Sequence, residues 1–173
     1  MNLKIWALAI LAATATADEY THKILADIRQ AIDDFHQGLS GWDGTYTGAV
    51  RVAKQSYDLK KALGTALSPA SKELAAESPH SPELEQQTLQ LARDLADEIG
   101  QVIDTAIESK PKMEAIPFAG KRVGVMVFKS LHGAATNLGQ EFSPRASDEN
   151  QETAQDIVRE IDEHFLRGLA AFE

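Results

Sequence analysis

The sequence predicts an all-α protein, an antiparallel bundle of about five helices with no disulfide bonds. Apolar residues recur every three or four positions through most of the chain beyond residue 21, which is the spacing of amphipathic helices. Glycine and proline divide this pattern into segments of ordinary helix length. The chain contains no cysteine, so an apolar core alone must hold the bundle together.

The first two helices are predicted on either side of a turn at Trp42. The first helix has its apolar stripe at Ile24, Ile28, Ile32, Phe35 and Leu39. The second helix has the series Tyr46, Val50, Ala53, Tyr57, Leu59, Leu63 and Leu67. Pro69 ends or kinks the second helix, because proline lacks the helical N–H donor and disfavours helical backbone in the residue before it.

Three more helices are predicted in the second half of the chain. Ser81 is the expected N-cap of the third helix, Pro82 is its first residue, and the pattern breaks near Pro111. Residues 123–128 are a β-branched run that fits either a strand or a buried helix. Because no second strand-like segment would pair with them, a helix over residues 119–142 is favoured. The last helix follows residues 147–148.

The first 17 residues have the pattern of a secretory signal peptide. Lys4 precedes an apolar run over residues 5–13, and residues 15–17 give the small-x-small sequence that signal peptidase accepts. The apolar run is about half the length that spans a bilayer. We therefore expect one domain over residues 18–173, an extracellular location and a mature chain that begins at Asp18.

The charge of the chain is acidic overall but unevenly distributed. With 17 basic and 26 acidic residues the net charge is −9, which argues against nucleic acid and anionic headgroups as partners. Acidic residues dominate the ranges 83–108 and 148–173, and basic residues dominate 46–63 and 110–129. One interpretation is that oppositely charged helices lie side by side. The other is a basic mouth for a carboxylate, formed by Lys110, Lys112, Lys121 and Arg122.

The residue patterns of common catalytic sites are missing. The sequence has no His-Glu-x-x-His motif, and its one Glu-x-x-His, at Glu19 and His22, lacks the second copy that a di-iron bundle needs. Ser109 and Lys112 match a Ser-x-x-Lys spacing without its companion motifs. We predict a protein that is not an enzyme and uses no metal or cofactor.

Small residues interrupt the predicted fourth helix. Gly120 and Gly124 are four positions apart, and Gly133 follows in the same helix. Glycine inside a helix costs about 1 kcal/mol relative to alanine, so its presence usually has a reason. Either two helices approach closely there, or the missing volume leaves an apolar cavity of the kind that holds ligands in bundles.

The order of these elements resembles a fungal secreted family, that of hydrophobic surface-binding protein A and the cell-wall galactomannoproteins. The similar segments are residues 24–28 (ILADI), 42–49 (WDGTYTGA), 59–63 (LKKAL), 107–113 (IESKPKM), 157–165 (IVREIDEHF) and 170–172 (AAF). Met113 stands where the family usually has an aromatic residue, and the Ser/Thr-rich stalk of the galactomannoproteins is missing.

The resemblance implies a non-catalytic bundle that binds long-chain fatty acids or other lipids, and we expect the mature domain to be monomeric. It equally implies the alternative of a protein that adsorbs to hydrophobic surfaces and recruits a secreted polyester hydrolase, in a free or cell-wall-associated form. For a fatty acid, the expected contacts are inner-stripe residues near mid-helix: Ile28, Ile32, Phe35, Leu95, Ile99, Val127, Leu131 and Phe165. Lys121 and Arg122 are the expected partners of the carboxylate. The competing interpretation is that the apolar residues simply pack together.

Overall fold

The computed structural model describes residues 19–66, 68, 81–116, 120–142 and 147–173. These residues form six helices: α1 (Glu19–Ser40), α2 (Tyr46–Ala66), α3 (Pro82–Glu108), α4 (Lys110–Glu114), α5 (Gly120–Phe142) and α6 (Gln151–Phe172). No strand occurs in these ranges, so the all-α prediction is confirmed. The predicted signal peptide at residues 1–17 lies outside the described residues.

The ends of the helices agree with those predicted, except at Ser81 and Pro111. The ambiguous run at residues 123–128 is helical, within α5. Ser81 takes the extended N-cap backbone before α3, but its hydroxyl makes no capping hydrogen bond. Pro111 does not simply break the chain after α3. It lies in the first turn of α4, a position that suits proline because the N–H groups there have no helical partner.

The five long helices form a closed ring in the order α1, α2, α5, α6, α3, so that each packs against two neighbours. α1 and α2 are antiparallel, as are α5 and α6, whereas α3 runs parallel to both α1 and α6. The parallel pairing brings Arg29 to Glu98 at 2.5 Å and Arg167 to Asp104 at 3.0 Å. The core fills the ring and includes Leu25, Ile28, Ile32, Leu89, Leu95, Ile103, Leu131, Ile157, Ile161 and Phe165.

Two glycines and two phenylalanines join α5 to α6. A Cβ atom on Gly124 would lie 2.7 Å from the ring of Phe172, and one on Gly168 would lie 2.7 Å from the ring of Phe128. The two rings are tilted against each other, with their centroids 5.2 Å apart. Each helix therefore supplies a glycine on which the phenylalanine ring of the other helix packs. For Gly124, close approach of two helices is the reason for the missing side chain.

The turn between α1 and α2 is a compact, hydrogen-bonded unit. Trp42 is buried, and its indole N–H donates to the Thr45 carbonyl at 2.9 Å. Thr45 accepts from the Gly48 N–H through its hydroxyl at 3.1 Å, so it caps α2. Asp43 accepts from the Thr45 hydroxyl and N–H, and these bonds lower the pKa of Asp43 below its usual value. Gly44 has a φ of 84°, which glycine adopts without steric cost.

Two glycines of α5 give a matched test of the packing of phenylalanine rings on glycine. Gly133→Ala meets nothing within 4 Å and gains helix propensity, so we expect the free energy of unfolding to rise by up to about 1 kcal/mol. Gly124→Ala brings the same methyl group against Phe172, and overpacking of this kind costs about 1–3 kcal/mol. We expect a net loss of stability in urea unfolding. Equal stabilisation by both substitutions would contradict the close approach of α5 and α6.

Candidate functional site

An apolar cavity of about 200 Å³ lies at the end of the ring where α1 and α3 finish and α2 and α5 begin. Three of the long helices provide most of its wall. From α1 and the following turn come Phe35, Leu39 and Trp42, from α2 come Tyr46, Ala49, Val50, Val52, Ala53 and Ser56, and from α5 come Val123, Gly124, Val127 and Phe128. Ala106, Met113 and Ile116 close the remaining side.

The cavity wall has no charged side chain, and its buried polar groups already have partners. The Ser56 hydroxyl donates to the Ala53 carbonyl at 2.8 Å, which leaves it turned toward its own helix. The Trp42 N–H is held by Thr45, so the indole presents its apolar ring. Such a wall offers dispersion contacts and no fixed charge to an occupant. It suits an alkyl chain and does not suit a polar ligand.

The mouth of the cavity opens between α2 and α5. Tyr46 and Val50 on α2 are 70% and 54% exposed, and Val123 on α5 is 36% exposed, although all three line the cavity. Tyr57 and Met126, each 65% exposed, continue the same two helices away from the mouth. These five residues are here called the apolar groove. Isolated exposed apolar residues are ordinary, but a contiguous group beside a cavity marks a binding surface.

The structure separates the predicted site residues into two groups. Phe35 and Val127 line the cavity. The other apolar candidates belong to the core or pack against it, and do not line the cavity: Ile28, Ile32, Leu95, Ile99, Leu131 and Phe165. Their role as ligand contacts stays a prediction.

The predicted carboxylate partners lie at the start of α5, beside the mouth. Arg122 is exposed and directly precedes Val123. Lys121 belongs to the same turn, and its side chain lies outside the described residues. Arg122 does not line the cavity but lies in a separate shallow groove with Val125, Met126 and Lys129, and its role at the polar end of a ligand stays a prediction.

The other two lysines of the predicted basic mouth hold backbone carbonyls. Lys112 donates to the Trp42 carbonyl at 2.8 Å, and Lys110 donates to the Ala171 carbonyl at 2.7 Å. Both carbonyls stand at or just beyond the C-terminal end of a helix, where a cation is favoured by the helix dipole. These two contacts fasten α4 across the cavity end of the bundle.

The predicted site contains no residue of α2, although α2 supplies six of the residues that line the cavity. The predicted stripe joined Tyr46, Val50 and Tyr57 to Leu59 and Leu63 as if all faced the core. In the structure the first three are exposed and the two leucines are buried. The signal was present: the step of two residues from Tyr57 to Leu59 breaks the helical spacing, which indicates two separate apolar faces on one helix.

The remaining grooves are more polar. One, of about 360 Å³, lies between α1 and α2 and carries Asp27, Asp34, Asp58 and Lys61 among its walls. Within the described part of the chain, no three His, Asp or Glu side chains come together as metal ligands. Nor is any helix in that part long and apolar enough to cross a membrane.

No protein-family model matches the sequence, and no curated protein matches it either. Solved structures do match the fold. Ligand-binding domain 1 of the Penicillium marneffei MP1 protein, complexed with arachidonic acids, aligns with a TM-score of 0.79 at 17% identity, over 90% of this chain and 97% of that domain. Ligand-binding domain 2 of the same protein, complexed with multiple arachidonic acids, gives 0.77 at 20% identity, over 87% and 92%.

A third similar structure is AFMP4P in complex with palmitic acid, with a TM-score of 0.75 at 17% identity, over 88% of this chain and 99% of that one. Identities of 17–20% show that the fold is shared. The ligand of this chain has to be argued from its own residues. At the level of the fold, the chain is similar to the fungal MP1-type ligand-binding domains.

Proposed function

We propose that this chain is an extracellular, non-enzymatic protein that binds long-chain fatty acids by enclosing part of the alkyl chain in the cavity between α1, α2 and α5. The observation that carries the proposal is the uncharged, apolar wall of that cavity together with its opening at the surface. Similar structures hold arachidonic or palmitic acid, which supports the same ligand class for this fold.

The size of the cavity sets how the ligand is held. About 200 Å³ is smaller than the roughly 300–1,000 Å³ of typical small-molecule sites, so the cavity holds one section of a long chain. The rest would lie along the apolar groove, or α2 and α5 would move apart to admit it. Each methylene buried contributes about 0.8 kcal/mol before ordering costs, so a partly enclosed chain still binds.

The carboxylate would remain at the mouth. No described wall residue carries a charge to receive it inside, and leaving an ionised group unpaired in an apolar cavity is costly. Arg122, beside Val123, is the exposed cation at this position. A fatty acid would then lie with its alkyl chain toward Phe35 and Phe128 and its head in water.

Adsorption to hydrophobic surfaces is the second candidate function. It is favoured by the same exposed side chains, since Tyr46, Val50 and Tyr57 present apolar area on one side of the molecule. A secreted polyester hydrolase as partner follows only from the resemblance to hydrophobic surface-binding protein A, and it stays a prediction.

Filling the cavity tests fatty-acid binding directly. Ala49→Phe places a ring among the lining residues, and displacing about two methylenes of ligand, at 0.8 kcal/mol each, weakens binding about tenfold. The measurement is titration of the delipidated protein with a fluorescent fatty acid in vesicle-free buffer. Ala170→Phe, at an exposed position of α6, is the matched control and should bind normally. Wild-type protein without saturable binding would remove the proposal.

The head group is tested by comparing fatty acids with the matching alcohols. Replacing Lys121 and Arg122 together by glutamine should weaken binding of the acids by up to about thirtyfold, since exposed ion pairs contribute about 0–1 kcal/mol each. Alcohol binding should not change, because the alcohol has no charge to lose. Arg159→Gln, an exposed arginine of α6, controls for net charge. An equal loss for acid and alcohol would place the carboxylate elsewhere.

The extracellular location rests on the signal-peptide pattern. If residues 1–17 are removed on secretion, N-terminal sequencing of protein from the culture medium should begin at Asp18. Protein that retains Met1 and stays inside the cell would contradict the extracellular assignment without affecting the ligand titration.

A further inference from the structure

Exposed apolar side chains are concentrated on one side of the molecule. Of the six large hydrophobic residues exposed in the described ranges, five form the apolar groove on α2 and α5, and the sixth is Leu166 on α6. On α2, the spacing of four and seven residues from Tyr46 through Val50 to Tyr57 keeps the three on one flank. Val123 and Met126, three apart, do the same on α5. Tyr46, Val50 and Val123 line the cavity mouth, and Met126 lies with Arg122 and Lys129 in a shallow groove of α5.

The same two helices carry the positive charge of the protein. α2 and α5 together have seven basic and two acidic residues, in a chain whose net charge is −9. α3 and α6 together have twelve acidic and three basic residues. Because α2 neighbours α5 and α3 neighbours α6 in the ring, the basic pair and the acidic pair occupy different sides. The molecule has a strong charge asymmetry.

The charge asymmetry corrects the interpretation based on net charge alone. An acidic protein is repelled by anionic lipids when its charge is evenly spread. Here the acidic helices can point away from a negative surface while the basic helices face it. Lys54 and Lys60 on α2, and Lys129 on α5, are exposed. Lys54 is paired with Asp58 at 2.9 Å and Lys129 with Glu173 at 3.5 Å, and exposed pairs of this kind contribute only about 0–1 kcal/mol, so lipid headgroups can replace the carboxylates. Basic residues next to exposed apolar side chains are the composition of elements that bind the interface of anionic bilayers.

We propose that the α2–α5 face docks on the surface of an anionic lipid bilayer, with the apolar groove against the headgroup region. This inference rests on the proposed function, since docking would place the cavity mouth at the bilayer. A fatty acid could then pass between the bilayer and the cavity without its alkyl chain crossing water. The bilayer that supplies or receives the fatty acid is therefore a phospholipid membrane with negatively charged headgroups.

Charge also separates this occupant from two others. A second copy of the chain, docked groove to groove, would bring two basic faces together, and like charges oppose that contact. An uncharged wax or plastic would use the apolar groove but would gain nothing from the lysines. Anionic bilayers use both features of the face, and their binding falls as salt screens the attraction.

The test is co-sedimentation of the full chain with vesicles of phosphatidylcholine, with or without phosphatidylglycerol. We expect binding to the anionic vesicles that salt weakens, and little binding to the neutral ones. Lys54→Gln with Lys60→Gln should reduce anionic-vesicle binding by about tenfold or more, and Tyr57→Ser with Met126→Ser should also reduce it. The two lysines belong neither to the cavity nor to the apolar groove, so the lysine variant should leave the fatty-acid titration in vesicle-free buffer unchanged.

Matched controls lie on α6, away from the face. Arg159→Gln removes an exposed cation and Leu166→Ser removes an exposed apolar side chain, and both should bind vesicles like the wild type. Equal binding to neutral and anionic vesicles, or a loss as large in the α6 controls as in the α2–α5 variants, would overturn the docking face. If the wild type and the lysine variants bind polystyrene equally and none of them binds anionic vesicles, the docking face is overturned in favour of simple adsorption. Failure of the proposed function appears separately, as absence of binding in the vesicle-free titration.

Discussion

The position of α5 depends on two phenylalanine rings that each rest on a glycine of the facing helix. Phe128 of α5 packs on Gly168, and Phe172 of α6 packs on Gly124. Since no glycine side chain separates each ring from the facing backbone, the two helices are held close together. Side chains further along α5 and α6 can therefore contact each other. His132 reaches Asp162 at 2.7 Å in this way. Without cysteine, the chain fixes this helix pair by packing rings on glycines, and the contact between His132 and Asp162 adds to it.

The same contact defines the cavity. Gly124 and Phe128 line it on one side while they pack against α6 on the other. α5 is therefore anchored to α6 and leaves its remaining flank, with Val123 and Val127, for α2. On that flank the small residues Ala49 and Ala53 of α2 face the cavity instead of filling it. The cavity lies where α5 meets small side chains of α2, whereas α5 meets α6 through phenylalanine rings packed on glycines.

Much of the fold follows from the spacing of apolar residues and from the positions of glycine and proline. Pro82 and the stripe after it mark α3, and the stripe of α1 is the buried one predicted. The order of the ring does not follow from spacing, because it depends on which helices lie together. For that reason the site was predicted in the middle of the bundle, whereas the cavity is at one end and has α2 in its wall. Of the predicted contacts, Phe35 and Val127 line the cavity because they pack with the core and also lie at its cavity end.

The short helix α4 links the ends of two long helices that are remote from each other in sequence. Through Lys112 it holds the carbonyl of Trp42, just after α1, and through Lys110 it holds the carbonyl of Ala171, near the end of α6. A helix end bound in this way cannot fray by itself, since unwinding it means giving up a contact that also positions its counterpart. Because both contacts come from one helix of five residues, loss of α4 would release the C-terminal ends of α1 and α6 together, so the two helix ends at the cavity are energetically coupled through it.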